Sequence, residues 1–156
     1  MNRNSNLHPL SHQHHNGLMA VLLLKKGVQK QANPALMQDF VLRLWEQELR
    51  RHFLAEELHL NPGVLETPGL QLHFDRMRQE HARIREFILQ FREETADARV
   101  ITAFYELLEA HIRFEEREFF EAIQDTVPPE VLERAGKQLE DLPAGSCDTY
   151  PVRFWE

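Results

Sequence analysis

The chain has 156 residues, 42% of them apolar and 28% charged, which excludes intrinsic disorder and suits one globular domain that needs no disulfide or metal merely to fold. Its formal net charge of -7, with no block of Lys and Arg, argues against nucleic acid and anionic membranes as partners. The single cysteine, Cys147, excludes an internal disulfide and a thiolate cluster, and reads as a free thiol in a reducing compartment.

Residues 1–9 read as a disordered lead ending at Pro9. Ser11 suits an N-cap, and a first helix is expected to run to about Gln31. Leu18, Val21, Leu22 and, further out, Leu10 make its apolar stripe, with His14 and His15 bordering it on opposite sides of Leu18. The apolar run from Leu18 to Leu24 is too short for a membrane span, and no small-residue cleavage site follows it in signal-peptide style. The protein is therefore expected to be cytoplasmic.

Asn33-Pro34 is a restart, with Asn as cap and Pro at the first helical position. The second helix is expected to reach about Leu60, with Val41, Leu42, Trp45 and Leu49 inside and His52 and Glu56 continuing that line. Asn61-Pro62-Gly63 ends it, and a loop is expected through Thr67-Pro68-Gly69. A third helix, from about Leu70 to Glu94, carries the inner stripe Leu70, Phe74, Met77, His81, Ile84, Ile88 and Phe91. Asp97 caps a fourth, reaching about Asp125, with Phe104, Leu107, Leu108, His111, Glu115 and Ala122 inside. Pro128-Pro129 stops it, and a short fifth helix spans about Pro129 to Glu140. In the tail, Tyr150, Phe154 and Trp155 suggest packing against the rest. Strand alternation is almost absent. The expected fold is all-α: an up-down-up-down four-helix bundle over residues 10–125, with a short C-terminal helix and tail, residues 126–156, packed on it.

Two of these helices carry the same spacing, His52-Phe53-Leu54-Ala55-Glu56 and His111-Ile112-Arg113-Phe114-Glu115. Residues four apart share a helix face, so each pair offers one imidazole nitrogen and one carboxylate to the same region. With His14 or His15 on the first helix and His81 on the third, the pattern points to metal held inside the bundle. Imidazoles fill terminal positions on iron, and carboxylates neutralise charge and can hold two ions together. Buried without such a partner, these groups would cost several kcal/mol.

A lone His on an apolar face is more often a hydrogen-bonded core residue, and His8, His12, His59 and His73 are read that way. Glu80, Glu116 and Glu118 read as solvated faces, with Glu116 an alternative to Glu115. Arg51, Arg113 and Glu57 fall off the inner face. Phe53, Phe74, Phe114 and Phe119 read as packing that keeps the site dry.

Ser11-His12-Gln13-His14-His15, His52-Phe53-Leu54-Ala55-Glu56-Glu57, Glu80-His81-Ala82-Arg83-Ile84-Arg85 and His111-Ile112-Arg113-Phe114-Glu115-Glu116 occur one per helix and in this order. Together they resemble the hemerythrin-like, or HHE cation-binding, family over about residues 10–125. The resemblance implies a non-haem di-iron centre bridged by two carboxylates. One iron would take His14 or His15 with His52, the other His81 and His111, and Glu56 and Glu115 would bridge. Oxygen-carrying members have His-x-x-x-His on the third helix, where this chain has Met77 in the first position, which implies a vacant or water-filled place. The implied function is binding or sensing of O2, NO or iron itself. A redox enzyme acting on peroxide or nitrogen oxides, or iron–sulfur cluster repair, is the alternative. Two iron ions are the expected cofactor, and manganese or zinc suits the same donors.

Overall fold

The computed structural model describes residues 2–143 and 149–156; Cys147, read above as a free thiol, lies outside them. Among the described residues the chain is mostly helical with no strand, and its long helices form an up-down-up-down bundle. No helix among them is long and apolar enough to cross a membrane.

Helix α1 (His8–Gln29) begins earlier than its sequence suggests. The expected disordered lead is instead tied down. The Asn4 side chain accepts from the Asn6 N–H at 2.9 Å, and a 3₁₀ turn over Ser5–Leu7 buries Leu7 completely. Arg3 donates to Gln124 Oε1 at 2.9 Å and to the Glu116 carbonyl at 2.6 Å. Pro9 then sits in the first turn of α1, where its missing N–H costs nothing. The stripe is also turned from the expected one. Leu10, His14, Gly17, Val21 and Leu24 are buried, whereas Leu22 is 43% exposed. At Gly17 the two helices approach closely: a Cβ there would lie 2.8 Å from Ile112 Cδ1.

The second rod has three parts: α2 (Pro34–Leu44), a widened turn (Trp45–Leu49) and α3 (Arg50–His59). Asn33 caps it by accepting from the Ala35 N–H at 2.9 Å. In the widened turn the Arg50 N–H bonds the Trp45 carbonyl, an i→i+5 step that inserts one residue into the helical row. Both Glu48 and Leu49 face inward. Where a loop was expected, residues 61–70 fold into short α4 (Asn61–Glu66) and a 3₁₀ turn at Pro68–Leu70. The prolines pre-set the first turn of each piece.

Helix α5 (Gln71–Glu93) buries every residue of its expected stripe from Phe74 to Phe91. Asp97 Oδ1 accepts from the N–H groups of Arg99 and Val100, both at 3.0 Å, and starts α6 (Ala98–Phe114). A second widened turn (Glu115–Phe119) leads into α7 (Phe120–Thr126), and α8 (Pro129–Leu139) follows. In the tail, Tyr150 Oη donates to Asp39 Oδ2 at 2.6 Å, and Phe154 lies edge-on to Phe40 with centroids 5.2 Å apart.

The core is divided. One apolar cluster gathers Val21, Phe53, Ile84, Leu108 and Ile112 with the tail aromatics. The other gathers Leu10, Ala55, Met77, Phe114 and Phe119 with α8. On each of the four rods the residues between these two sets are polar: His14, His52 with Glu56, His81, and His111 with Glu115. A slab of buried imidazoles and carboxylates thus crosses the bundle between two hydrophobic ends.

Candidate metal centre

Six side chains make up this slab, and none is more than 3% exposed. They form two overlapping groups: His14, His52, Glu56 and Glu115, and Glu56, His81, His111 and Glu115. In each group one ligand atom per residue lies within 4.8 Å of all the others, close enough to share an ion. Both carboxylates belong to both groups. His52 Nε2 and His81 Nε2 are each 3.2 Å from Glu56 Oε1. His14 Nε2 and His111 Nε2 are 3.2 and 2.8 Å from Glu115 Oε1.

The outward nitrogens explain why the inward ones are available. His52 Nδ1 donates to Gln13 Oε1 at 2.7 Å, and Gln13 is itself held by the Pro143 carbonyl. His81 Nδ1 donates to Glu57 Oε2 at 2.7 Å, and His111 Nδ1 to Glu80 Oε1 at 2.8 Å. Each bond occupies Nδ1 and turns Nε2 toward the slab, the orientation that a cation needs. His14 differs: its Nδ1 is 3.7 Å from Glu116 Oε2 and makes no hydrogen bond. Rings seal the layer, with Phe53 stacked on His81 at 3.8 Å and Phe120 stacked on His14 at 5.3 Å.

The electrostatics are those of a site lacking positive charge. Burial, then the neighbouring Glu115 charge, drives the Glu56 carboxyl well above its ordinary range. Burial would do the same to Glu115, but His111, Glu56 and His14 hold it well below. Burial opposes charge on His111 too, yet Glu115 and Glu80 push it up to about 9. His14 is raised in the same way, against burial, by Glu115 and Glu116. His52 is lowered by burial and by the charge of His14. The metal-free slab therefore keeps protons where cations would do the same work. All four oxygens of Glu56 and Glu115, and the Nε2 atoms of His81 and His111, are buried without a hydrogen bond. Such orphaned atoms are costly alone and are donors of the type that iron, manganese or zinc takes.

Of the residues singled out from the sequence, His14, His52, Glu56, His81, His111 and Glu115 converge, whereas His15 points to solvent. Glu116 stays outside the clusters, accepting from Ser11 Oγ at 3.0 Å. Glu57 and Glu80 are not the free surface acids expected, because each orients a histidine of another helix. Gln13, Glu48 and Phe120 were missed. Glu48 had a signal: it heads the i, i+4 row that continues through His52 and Glu56.

One protein-family model, the Hemerythrin HHE cation binding domain, matches residues 8–123, which includes every residue of the slab. No curated protein and no solved structure matches the chain.

Proposed function

The chain belongs to the hemerythrin HHE cation-binding domain family, and from that premise we propose that the slab holds two iron ions and serves to bind or sense a small ligand, O2 or NO, or iron itself. The observation that carries this reading is the pair of overlapping clusters that share both carboxylates. On it, His14 and His52 would hold one ion and His81 and His111 the other, with Glu56 and Glu115 available to both. Carboxylates so shared are what closely spaced metal pairs use. The iron would supply an open position and redox electrons for a diatomic ligand.

The chain's own residues do the rest. Gln13, Glu57 and Glu80 orient three imidazoles, and Phe53 and Phe120 exclude water. A bound cation would favour the ionised Glu56 carboxylate, because the charge that burial disfavours would then be neutralised. A redox enzyme acting on peroxide or nitrogen oxides is the second reading. It is favoured by Met77, which stands one turn before His81 on the buried stripe and offers no imidazole there.

Metal analysis of the protein as isolated, with absorption spectra under O2 and under NO, tests the proposal. About two irons per chain and a spectral response to either gas are expected, as for a two-metal site. Manganese or zinc in their place corrects the metal. Far less than two ions of any kind per chain overturns the reading.

A further inference from the structure

Gln13 joins the slab to a part of the chain beyond α8. Its buried amide lies between two groups: Nε2 donates to the Pro143 carbonyl at 2.7 Å, and Oε1 faces His52 Nδ1 at 2.7 Å. Pro143 lies beyond residues 8–123, the span of the family match. A carbonyl can only accept, so it fixes which way the amide turns. Nε2 must face Pro143, and Oε1 must therefore face His52. An oxygen there can only accept, so the proton of the neutral imidazole belongs on Nδ1. His52 Nε2 is then bare, 3.0 Å from His14 Nε2, on the side where an ion would sit. Turned the other way, the amide would present its N–H to Nδ1 and drive the His52 proton onto Nε2, in the ion's place.

The chain on either side of Pro143 is tied down. Leu139 is fully buried, Leu142 packs on the same apolar cluster, and the Leu142 N–H donates to the Leu139 carbonyl at 3.1 Å. Tyr150, Phe154 and Trp155 belong to the opposite cluster. Tyr150 and Pro151 also wall an outer cleft of about 120 Å³ against Phe40, Leu44 and Glu48. The C-terminal segment is thus attached to both apolar ends of the bundle, and Pro143 reaches the slab through Gln13. His81 and His111 are oriented differently. They donate to Glu57 and Glu80, carboxylates that accept whichever way they turn. Arg85 and Arg76 of α5 hold those acids at 2.8 and 3.2 Å.

We propose that Gln13 is a positioning residue through which the C-terminal segment sets the His52 tautomer, and with it the retention of the ion on the His14–His52 side alone. The proposal rests on the two-ion reading above. While the Pro143 carbonyl is in place, Gln13 holds His52 with Nε2 bare. When the segment moves away, the amide is free to turn, and the His14–His52 side loses a donor. The other side keeps both of its imidazoles, because Glu57 and Glu80 stand on α3 and α5. Displacement of the C-terminal segment is therefore read out as the loss of one ion of the pair. By linkage, filling that side holds the segment in place by the same factor.

The test follows iron release from the loaded protein to a chelator, by absorption, in wild type, Gln13→Leu, Gln13→Glu, Pro143→Gly and Gln13→Glu combined with Pro143→Gly. Imidazole nitrogen NMR spectra of the metal-free proteins report the His52 tautomer directly. Gln13→Leu is expected to speed one phase of release by about tenfold and to leave the other at the wild-type rate. Glu57→Gln speeds the other phase. Pro143→Gly frees the backbone at the carbonyl and speeds the same phase as Gln13→Leu. Gln13→Glu still accepts from Nδ1 and needs no partner to turn it, so Pro143→Gly adds nothing in that background. In the NMR spectra, wild type and Gln13→Glu carry the His52 proton on Nδ1, and Gln13→Leu shifts it toward Nε2. Unchanged release in Gln13→Leu, equal acceleration of both phases, an effect of Pro143→Gly that survives in Gln13→Glu, or a wild-type His52 proton on Nε2 overturns the role of Gln13. Low iron content with the NMR pattern intact instead overturns the two-ion reading, and with it the retention half of the proposal.

Discussion

His81 Nδ1 lies 2.7 Å from Glu57 Oε2, and the same oxygen accepts from Arg85 Nη2 at 2.8 Å. This relay turns His81 Nε2 into the slab and fixes its tautomer. Burial opposes charge on Glu57, yet its bonds to His81 and Arg85 hold its carboxyl below the usual range. Replacing Glu57 by Gln removes the charge and leaves the shape. Metal affinity is expected to drop by about tenfold to a hundredfold, measured by competition with a chelator. Glu80→Gln should do the same through His111, whereas Glu118→Gln, on an exposed acid, should change nothing.

Metal uptake should release protons. His111 without metal is pushed up to about 9, so it carries a proton at neutral pH, and burial shifts Glu56 in the same direction, well above its ordinary range. A cation displaces such protons. Titrations in buffers of different ionisation enthalpy should show net proton release near neutrality and weaker binding as the pH falls. Uptake with no proton exchange would contradict the charge state derived for the slab.

The same shift on His111 predicts a pH-dependent stability for the metal-free protein. Its folded value is raised, so its contribution is complete below the ordinary 6.5 and is lost as the pH rises through about 9. Urea unfolding over that window should show stability falling in wild type and a flatter profile in His111→Gln.

Glu48 shifts stability with pH in the same direction, but as a penalty that appears rather than a gain that is lost. Its folded value is raised from 4.5 to about 7, so the fold prefers the protonated acid. Below 4.5 there is no penalty. Between 4.5 and about 7 the unfolded chain loses its proton first and stability falls; above that the penalty is complete. Glu48→Gln should gain on wild type by about 2 kcal/mol from pH 4.5 to pH 7.5 or so, less than full conversion because the outer cleft admits water.

Bound metal should stabilise the native state by about 3–4 kcal/mol at several hundred times its dissociation constant. Calorimetry with and without added iron reads this directly. His52→Ala and His111→Ala should each abolish most of the gain, since each removes one of the two imidazoles of a cluster.

Met77→His adds an imidazole one turn before His81 on the buried face of α5. Slower loss of metal to a chelator is the expected result, together with longer-lived O2 adducts if the missing imidazole is the source of reactivity. Metal loss as fast as in wild type would show that residue 77 does not reach the slab.

Much of this molecule is written in local spacing. The stripe of α5 was readable residue by residue because six apolar or imidazole positions recur at helical period over one uninterrupted helix. The caps at Asn33 and Asp97 were equally readable, since each bonds N–H groups only two or three residues away. The two His-x-x-x-Glu pairs needed nothing beyond one helical turn.

Packing between helices decided the remainder. Leu18 and Leu22 fit either His14 or His15, and the choice fell to His14 because α1 packs its Gly17 side against Ile112. The widened turns at Trp45–Leu49 and Glu115–Phe119 carry no local signature in the sequence. Glu57 and Glu80 leave the inner face of their own helices and reach histidines 24 and 31 residues away. Periodicity sets the direction of a side chain about its own axis, whereas the rotation and distance of the neighbouring axis set which atoms it can touch.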